Sequence, residues 1–198
     1  MTRRVAIAAL SHPAWAPPGT DPTTWQCALA EDLLDVLATL AEVEAAVLVE
    51  PGEEGLRSRI GWPGLHWYAG TDVKAALDAA HRDGYDQAVV LAGDAPDLPG
   101  MLIAKLLRPL TSRPVALAPA VGGTGLLGLA ARLPAPPWLP GGQLDAMSLA
   151  QVRAAAPQAA DVASAPGWHR LRGPDDLRRL DPGLEGWDAT RALLSGRG

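Results

Sequence analysis

The stretch 86–100 constrains the fold of this chain more than any other. Its apolar run, 88–92, is built from residues that favour strands, and an unbroken run of this kind is typical of a strand covered by helices on both faces. We therefore predict a strand in the middle of a sheet. The run ends at Gly93 and Asp94, and the two prolines that follow, Pro96 and Pro99, prevent further strand pairing.

Asp94 falls at the carboxyl end of this predicted strand, which is the edge where open α/β sheets bind ligands. A carboxylate held there can bind a divalent metal, and the metal can bridge the phosphates of a nucleotide. A second interpretation stays open, in which Asp94 only caps the turn or the following helix. Asp97, just before Pro99, is more consistent with a helix-capping acid than with a second metal ligand.

Short apolar runs alternate with amphipathic stretches along the rest of the chain. Strands are predicted at 4–10, 45–49, 65–68, 88–92, 114–118, at 126–129 after a glycine turn, and at 161–163 as an edge strand; helices are predicted at 23–40, 72–82, 101–110, 144–156, 173–180 and 187–194. The first helix is expected to be capped by Thr23 or Thr24, with Asp32 off its apolar stripe. Alternation of strands and helices with short connections predicts an α/β fold with a parallel sheet covered on both faces.

Length and composition favour one domain over 1–198, because 198 residues with 48% hydrophobic content can form a core without further supports. The single cysteine, Cys27, excludes a disulfide framework and a cysteine-rich zinc site. Without an apolar run of membrane-spanning length or a convincing signal peptide, we expect a cytoplasmic protein with no membrane partner. The net charge of −5 argues against nucleic acid as a partner, and the oligomeric state is left open.

Covalent catalysis has no support in the sequence. The four histidines have no metal-binding spacing, no G-x-S-x-G motif is present, and Cys27 sits in a periodic helix where an inert thiol is expected. The glycine-rich segment 122–125 matches neither a dinucleotide fingerprint nor a P-loop, so a plain turn and a ligand loop are equally consistent with it. The proline-rich loop 133–142 is long enough to be a lid or an acceptor-side loop.

Three segments, 93–98, 118–129 and 173–180, together resemble landmarks of one family. They are similar to small bacterial glycosyltransferase-A-type (GT-A) proteins of the nucleotide-diphospho-sugar transferase superfamily and, more distantly, to 2-phospho-L-lactate guanylyltransferases. The resemblance spans roughly 4–180. It implies a Rossmann-like three-layer fold with a mostly parallel mixed sheet, a nucleotide or nucleotide sugar at the strand ends, and Mg²⁺ or Mn²⁺ held partly by Asp94.

The same resemblance implies the remaining site residues. The nucleotide or acceptor pocket would be shaped by four residues: Gly93, Gly122, Gly123 and Thr124. The proline-rich loop near Trp138 would cover this pocket. No catalytic residue is assigned.

Several residues depart from the family pattern. The loop 11–15 has no Lys or Arg where such proteins carry a basic, phosphate-neutralising loop. Val121 and Arg172 stand where the family has acids, so Asp94 is the one retained candidate for a metal ligand. Cationic help for a phosphate leaving group would have to come from elsewhere, and Arg57, Arg59 and Arg113 are candidates.

Two functions from different classes follow. The first is a nucleotidyl- or glycosyltransferase that binds a nucleotide or nucleotide sugar with a divalent metal. The second is a catalytically reduced relative that acts as a non-enzymatic binding or assembly module, and exposed tryptophans among Trp15, Trp62, Trp138 and Trp168 would favour it. A fold match without any nucleotide site is a third possibility.

Overall fold

The structure, a computed structural model, describes residues 2–53 and 55–196, which contain seven strands and six α-helices. The strands are β1 (Arg4–Leu10), β2 (Glu44–Val49), β3 (His66–Ala69), β4 (Gln87–Ala92), β5 (Val115–Pro119), β6 (Leu126–Arg132) and β7 (Val162–Ser164). They form one sheet in the order β3-β2-β1-β4-β6-β5-β7. β6 runs antiparallel to both of its neighbours, and the other pairings are parallel. The predicted mid-sheet position of β4 is confirmed, and so is the mostly parallel mixed sheet.

Helices cover both faces of the sheet. They are α1 (Pro22–Ala38), α2 (Gly55–Ile60), α3 (Val73–Arg82), α4 (Gly100–Leu107), α5 (Leu149–Ala155) and α6 (Asp188–Leu194). Successive residues of a strand point to opposite faces, so Val89 of β4 packs in the core beneath α1, α2 and α4, whereas Val90 packs beneath α3 and α5. The predicted three-layer arrangement is therefore confirmed. None of the helices in the described residues is long and apolar enough to span a bilayer.

Two expectations about α1 are wrong. The helix is capped by Asp21, whose carboxylate accepts hydrogen bonds from the backbone N–H (2.8 Å) and the hydroxyl of Thr24. Pro22 explains the earlier start, because proline is favoured in the first helical turn. Asp32, predicted to lie off the apolar stripe, is buried, since α6 packs against this part of α1.

Three other elements differ from the predictions in extent or type. The helix predicted at 101–110 is α4 followed by the 3₁₀ turn Arg108–Thr111, and the one predicted at 144–156 is the 3₁₀ turn Leu144–Ala146 followed by α5. The segment Pro174–Arg179 is also 3₁₀ rather than α-helical. All three turns are short, and two of them contain a proline, Pro109 and Pro174, so few consecutive i to i−4 hydrogen bonds can form.

The tryptophans singled out by sequence have different environments. Trp62 is exposed, Trp15 packs edge-on against Trp25, and Trp138 packs against the core on the α3 face. Trp168 is half-buried and bonded to Asp97. An isolated exposed tryptophan does not make a contiguous apolar surface, so this criterion gives no support to an interaction module.

Candidate functional site

The carboxyl ends of β1 and β4 and the start of β6 meet at one edge of the sheet, because β6 runs in the opposite direction. A glycine is required where β4 leaves the sheet: a Cβ on Gly93 would lie 2.7 Å from the side chain of Leu10 and 2.8 Å from a backbone oxygen of β1. The predicted site residue Gly93 thus has a packing reason of its own. It delivers Asp94 to this edge, as the sequence predicts.

The segment 168–172 closes the other side of this edge. Trp168 bridges to Ala120 just after β5, and the backbone N–H of Leu171 donates to the carbonyl oxygen of Asp94 at 2.7 Å. This hydrogen bond fixes the two residues on either side of Leu171 beside the Asp94 carboxylate. Both of them are arginines.

Arg170 forms a bidentate ion pair with Asp94. Its Nε donates to Oδ1, and its Nη2 donates to Oδ2 at 2.9 Å. The Arg170 side chain is 5% exposed and the Asp94 side chain 20%, so the pair is largely shielded from water. Burial raises the pKa of the Asp94 carboxyl, and the neighbouring charge of Arg170 opposes that rise. A planar guanidinium facing both carboxylate oxygens is the arrangement that offsets the desolvation of both charges best.

A second carboxylate, Asp145, faces both arginines from the turn Leu144–Ala146. Its Oδ1 accepts hydrogen bonds from Nη1 of Arg170 and, at 2.5 Å, from Nη2 of Arg172. In contrast to Asp94, the Asp145 side chain is 52% exposed. The two guanidinium groups therefore converge on one carboxylate that lies at the surface.

The two arginines differ in how many of their five N–H donors are used. Arg170 makes four hydrogen bonds, the fourth to the carbonyl oxygen of Leu126 at 3.1 Å. Arg172 makes two, one to Asp145 and one to the carbonyl oxygen of Thr124 at 3.0 Å, and its Nε has no hydrogen-bond partner. Arg170 is nearly saturated, whereas Arg172 keeps donors for a further acceptor.

Asp97 holds the segment 168–172 in place through its first two residues. It accepts a hydrogen bond from the indole nitrogen of Trp168 at 3.1 Å, and its Oδ2 lies 3.0 Å from Nε2 of His169. The expectation that Asp97 caps the next helix is wrong, because Pro99 occupies the N-cap of α4 and no side chain bonds there. The physical reason is that the buried Asp97 carboxylate is held by Trp168 and His169, so it does not reach the first amides of α4.

Three clefts adjoin the ion-pair cluster. The β2-side cleft is lined by Ser11, Leu48, Glu50, Thr71, Gln143 and Asp145. The α1-side cleft is lined by Ser11, His12, Gln26, Gly93, Asp94 and Arg172. The glycine-loop cleft is lined by Val121, Gly122, Gly123, Thr124, Arg172 and Asp176. Arg172 borders the last two clefts and Asp145 the first two, so the cluster forms the wall between them.

The glycine-rich segment 122–125 is closely packed at Gly122. Gly122 has φ +78°, which favours glycine, and a Cβ at this position would overlap the guanidinium of Arg179. Val121, at a position where an acid was expected, is exposed and donates its backbone N–H to the carbonyl oxygen of Trp168 at 2.8 Å. The structure thus brings Gly122, Gly123 and Thr124 to the same edge as Asp94, as the sequence predicts, while their binding role stays a prediction.

The sequence analysis did not identify Arg170 or Asp145, and it noted Arg172 only as a residue that replaces an acid of the family pattern. The arginines that it proposed for neutralising phosphate have other contacts: Arg57 stacks over Trp67, and Arg59 lies 3.8 Å from Sγ of Cys27. Arg113 precedes β5 and so lies at the opposite edge of the sheet. The available signal was the alternation of two arginines around Leu171 just before the Gly-Pro turn, a period-two pattern that places both side chains on the same face of an extended segment.

Solved structures show the same fold. A proposed nucleotide-diphospho-sugar transferase from Desulfovibrio desulfuricans aligns over 100% of this chain and 99% of its own, with a TM-score of 0.67 and 21% identity. A 4-diphosphocytidyl-2C-methyl-D-erythritol synthase from Anaerococcus prevotii aligns over 98% and 96%, with a TM-score of 0.61 and 11% identity. The chain therefore has the Rossmann-like fold of nucleotide-diphospho-sugar transferases.

A further similar structure contains a metal. Glucosyl-3-phosphoglycerate synthase from Mycobacterium tuberculosis, in complex with Mn²⁺, UDP and phosphoglyceric acid, aligns over 99% of this chain and 78% of its own, with a TM-score of 0.59 and 16% identity. No protein-family model matches the present sequence, and no curated protein matches it. These identities establish the fold alone.

The charged residues present here do not fit a divalent cation. Both oxygens of Asp94 are bonded to Arg170, and Asp145 is bonded to both arginines. Within residues 2–53 and 55–196 no group of three or more His, Cys, Asp or Glu side chains is placed to hold a metal ion. A cation beside Asp94 would lie next to two guanidinium charges and would have to displace one of them. Asp94 as a metal ligand stays a prediction that this arrangement disfavours.

Proposed function

We propose that the chain binds a nucleotide or nucleotide sugar at this sheet edge and acts as a nucleotidyl- or glycosyltransferase. The observation that carries the proposal is the ion-pair cluster of Asp94, Asp145, Arg170 and Arg172, which forms the common wall of clefts at the carboxyl ends of the strands. Ligands of open α/β sheets bind at this edge. The fold of solved nucleotide-dependent transferases supports the class.

Two of the clefts and the arginines between them suit the three parts of such a reaction. The β2-side cleft contains apolar side chains such as Leu48 beside polar groups of Glu50 and Thr71, a mixture suited to a nucleoside. The arginines beside it would neutralise the phosphates of that nucleotide, since developing charge on a leaving phosphate needs cationic stabilisation. The glycine-loop cleft lies across Arg172 and would take the acceptor.

A binding screen tests this proposal. The full chain is titrated calorimetrically with UDP, CDP, GDP, ADP, the matching triphosphates and UDP-glucose, each with EDTA and with MgCl₂. We expect at least one nucleotide to bind. Thr71→Trp should weaken that binding at least tenfold because the indole would fill the β2-side cleft, while the matched control Thr111→Trp, at an exposed residue far from the cleft, should not. Absence of binding by every nucleotide in both conditions would reject the proposal.

A second candidate is the catalytically reduced, non-enzymatic relative. It is favoured by one observation, namely that Arg170 is bonded to both oxygens of Asp94. The two candidates are separated by following release of the nucleoside diphosphate or pyrophosphate from each bound donor under single-turnover conditions, in the presence of a panel of hydroxyl- and phosphate-bearing acceptors that take the transferred group. Release above the uncatalysed rate that disappears in Arg172→Ala supports the transferase, and binding without release supports the non-enzymatic module.

A further inference from the structure

We infer that Arg170 and Arg172 form an anion site that binds the phosphates of the ligand without a divalent metal, and that Asp145 competes with those phosphates for the two arginines. The inference rests on the proposed nucleotide function. Its basis is the convergence of two guanidinium groups, Nη1 of Arg170 and Nη2 of Arg172, on the single oxygen Oδ1 of Asp145.

The cluster has a rigid part and an exchangeable part. Asp94 and Arg170 are bonded to each other through two hydrogen bonds and shielded from water, so separating them would leave a buried charge unpaired. Asp145 is half-exposed and sits on a short 3₁₀ turn, so it can rotate into water at little cost. When it does, the face that both arginines turn toward Asp145 becomes available to another anion.

Phosphate oxygens match the donors released in this way. Guanidinium groups bind phosphate through parallel N–H donors, and two of them facing one point hold a phosphate more firmly than one. Arg172 contributes more than the donor freed by Asp145, because only two of its four Nη–H donors are used, whereas its Nε is buried 3.6 Å from Oδ2 of Asp94. Arg172 also borders both the α1-side and the glycine-loop clefts, so a phosphate bound to it lies between the two.

Charge balance supports phosphate over a metal cation. Asp94 with Arg170, and Asp145 with Arg172, form a set of two negative and two positive groups. Withdrawal of Asp145 leaves one net positive charge on the remaining three side chains of the cluster, which attracts an anion and repels Mg²⁺ or Mn²⁺. The pair of arginines would thus supply the neutralisation that Mn²⁺ or Mg²⁺ supplies to phosphates elsewhere.

Substitution of Asp145 provides a test, because two possible roles of this residue predict opposite changes in the affinity for diphosphate. If Asp145 competes with phosphate, Asp145→Asn removes the competing charge and tightens binding of the diphosphate by about 3- to 10-fold. If Asp145 instead ligates a metal that holds the phosphates, the same substitution weakens binding. Asp175→Asn is the matched control, because Asp175 is an exposed carboxylate paired with an arginine three residues later.

The experiment is calorimetric titration of the full chain with inorganic pyrophosphate and with the nucleoside diphosphate that binds best, in EDTA. We expect binding in EDTA, tighter in Asp145→Asn, roughly 10- to 100-fold weaker in Arg172→Ala, and unchanged in Asp175→Asn and in Arg178→Ala, the exposed arginine partner of Asp175. Thermal denaturation of each variant confirms that it is folded.

Four outcomes would overturn the inference: binding that requires Mg²⁺, weaker binding by Asp145→Asn, Arg172→Ala binding as tightly as the parent chain, or diphosphate binding that the two control substitutions weaken equally. Nucleotide binding that appears only with Mg²⁺ refutes the anion site while leaving the proposed function standing. No nucleotide binding under any condition refutes both, so the two failures are distinguishable.

Discussion

Asp94 and Asp32 are two acidic side chains withdrawn from water, and they are satisfied in different ways. Asp94 faces two arginines at the ligand edge of the sheet, so its partners are charged side chains with donors to spare on Arg172. Asp32 accepts hydrogen bonds from the backbone N–H groups of Ala189 and Thr190 at 2.9 and 2.8 Å. Side-chain partners can exchange one anion for another, whereas backbone partners fix one helix against another.

This difference distinguishes a candidate ligand-binding site, at Asp94, from a structural contact between two helices, at Asp32. Asp32 lies on α1 and bonds to the first turn of α6, so it holds the C-terminal helix in place. Backbone N–H groups at a helix start favour an anion, yet they carry no full charge to offset desolvation. Burial accordingly raises the pKa of the Asp32 carboxyl to about 6. Asp94 has a full positive charge facing it, and that charge is what a phosphate ligand can share.

The largest expected effect comes from removing the charged partner of Asp94. Arg170→Ala should lower the free energy of unfolding by about 3–5 kcal/mol, because it removes both hydrogen bonds that a charged partner makes to this largely buried carboxylate and leaves only the more distant Arg172 beside it. Urea denaturation measures the change, and Arg178→Ala at an exposed pair should alter it by less than about 0.5 kcal/mol. If Arg170→Ala cost no more than Arg178→Ala, the Asp94–Arg170 pair would not be the buried anchor described here.

A smaller effect is expected from the pH dependence of Asp32. Its pKa is higher in the folded than in the unfolded chain, so the folded state binds more protons between about pH 4 and 6 and loses stability as the pH rises through that window. Asp32→Asn has no such titration. The stability of the parent chain minus that of Asp32→Asn should therefore fall by up to about 3 kcal/mol from pH 4 to 6. A difference independent of pH would contradict the assignment.

Asp97 provides an intermediate case, a buried carboxylate that accepts a hydrogen bond from the indole of Trp168 and has Nε2 of His169 3.0 Å from its other oxygen. Asp97→Ala should destabilise the chain by about 1–3 kcal/mol, because the indole N–H of Trp168 loses its acceptor. Asp97→Asn keeps an acceptor oxygen and should cost less. Equal losses in the two variants, measured by urea denaturation, would show that the charge rather than the hydrogen bond stabilises this segment.

The smallest effect on stability is expected at Arg172. Because its side chain is partly exposed and makes two hydrogen bonds, Arg172→Ala should lower the free energy of unfolding by about 1 kcal/mol or less. The contrast with Arg170→Ala is the point of the measurement. A loss as large as that of Arg170→Ala would make Arg172 a structural residue and remove the distinction between the two arginines.

The sequence predicted the fold and the position of Asp94, because strand formation and strand ends depend on local patterns. β1 and β4 follow from unbroken apolar runs, and Gly93 and the prolines end β4 where the structure ends it. These features need no knowledge of distant residues. The resemblance to nucleotide-diphospho-sugar transferases added the mixed sheet, which apolar periodicity alone does not determine.

The partners of Asp94 could not be predicted in the same way. Arg170 is 76 residues away in sequence, and Asp145 lies on a turn that joins the site only because Gly125 lets it approach. The burial of Asp32 could not be predicted for the same reason, since its partners are backbone amides more than 150 residues later. A helical pattern tells which residues face the sheet, whereas it does not tell which polar residue will be buried by another helix.

The most direct test of the anion site follows the arginine side chains themselves. In EDTA, the ¹H–¹⁵N signals of the arginine Nε–H groups, assigned with Arg170→Lys and Arg172→Lys, are recorded before and after addition of the best-binding nucleoside diphosphate. We expect the signals of Arg170 and Arg172 to move while that of Arg178 stays in place. Binding that leaves both signals unchanged, or that moves them only once Mg²⁺ is added, would contradict the metal-free anion site.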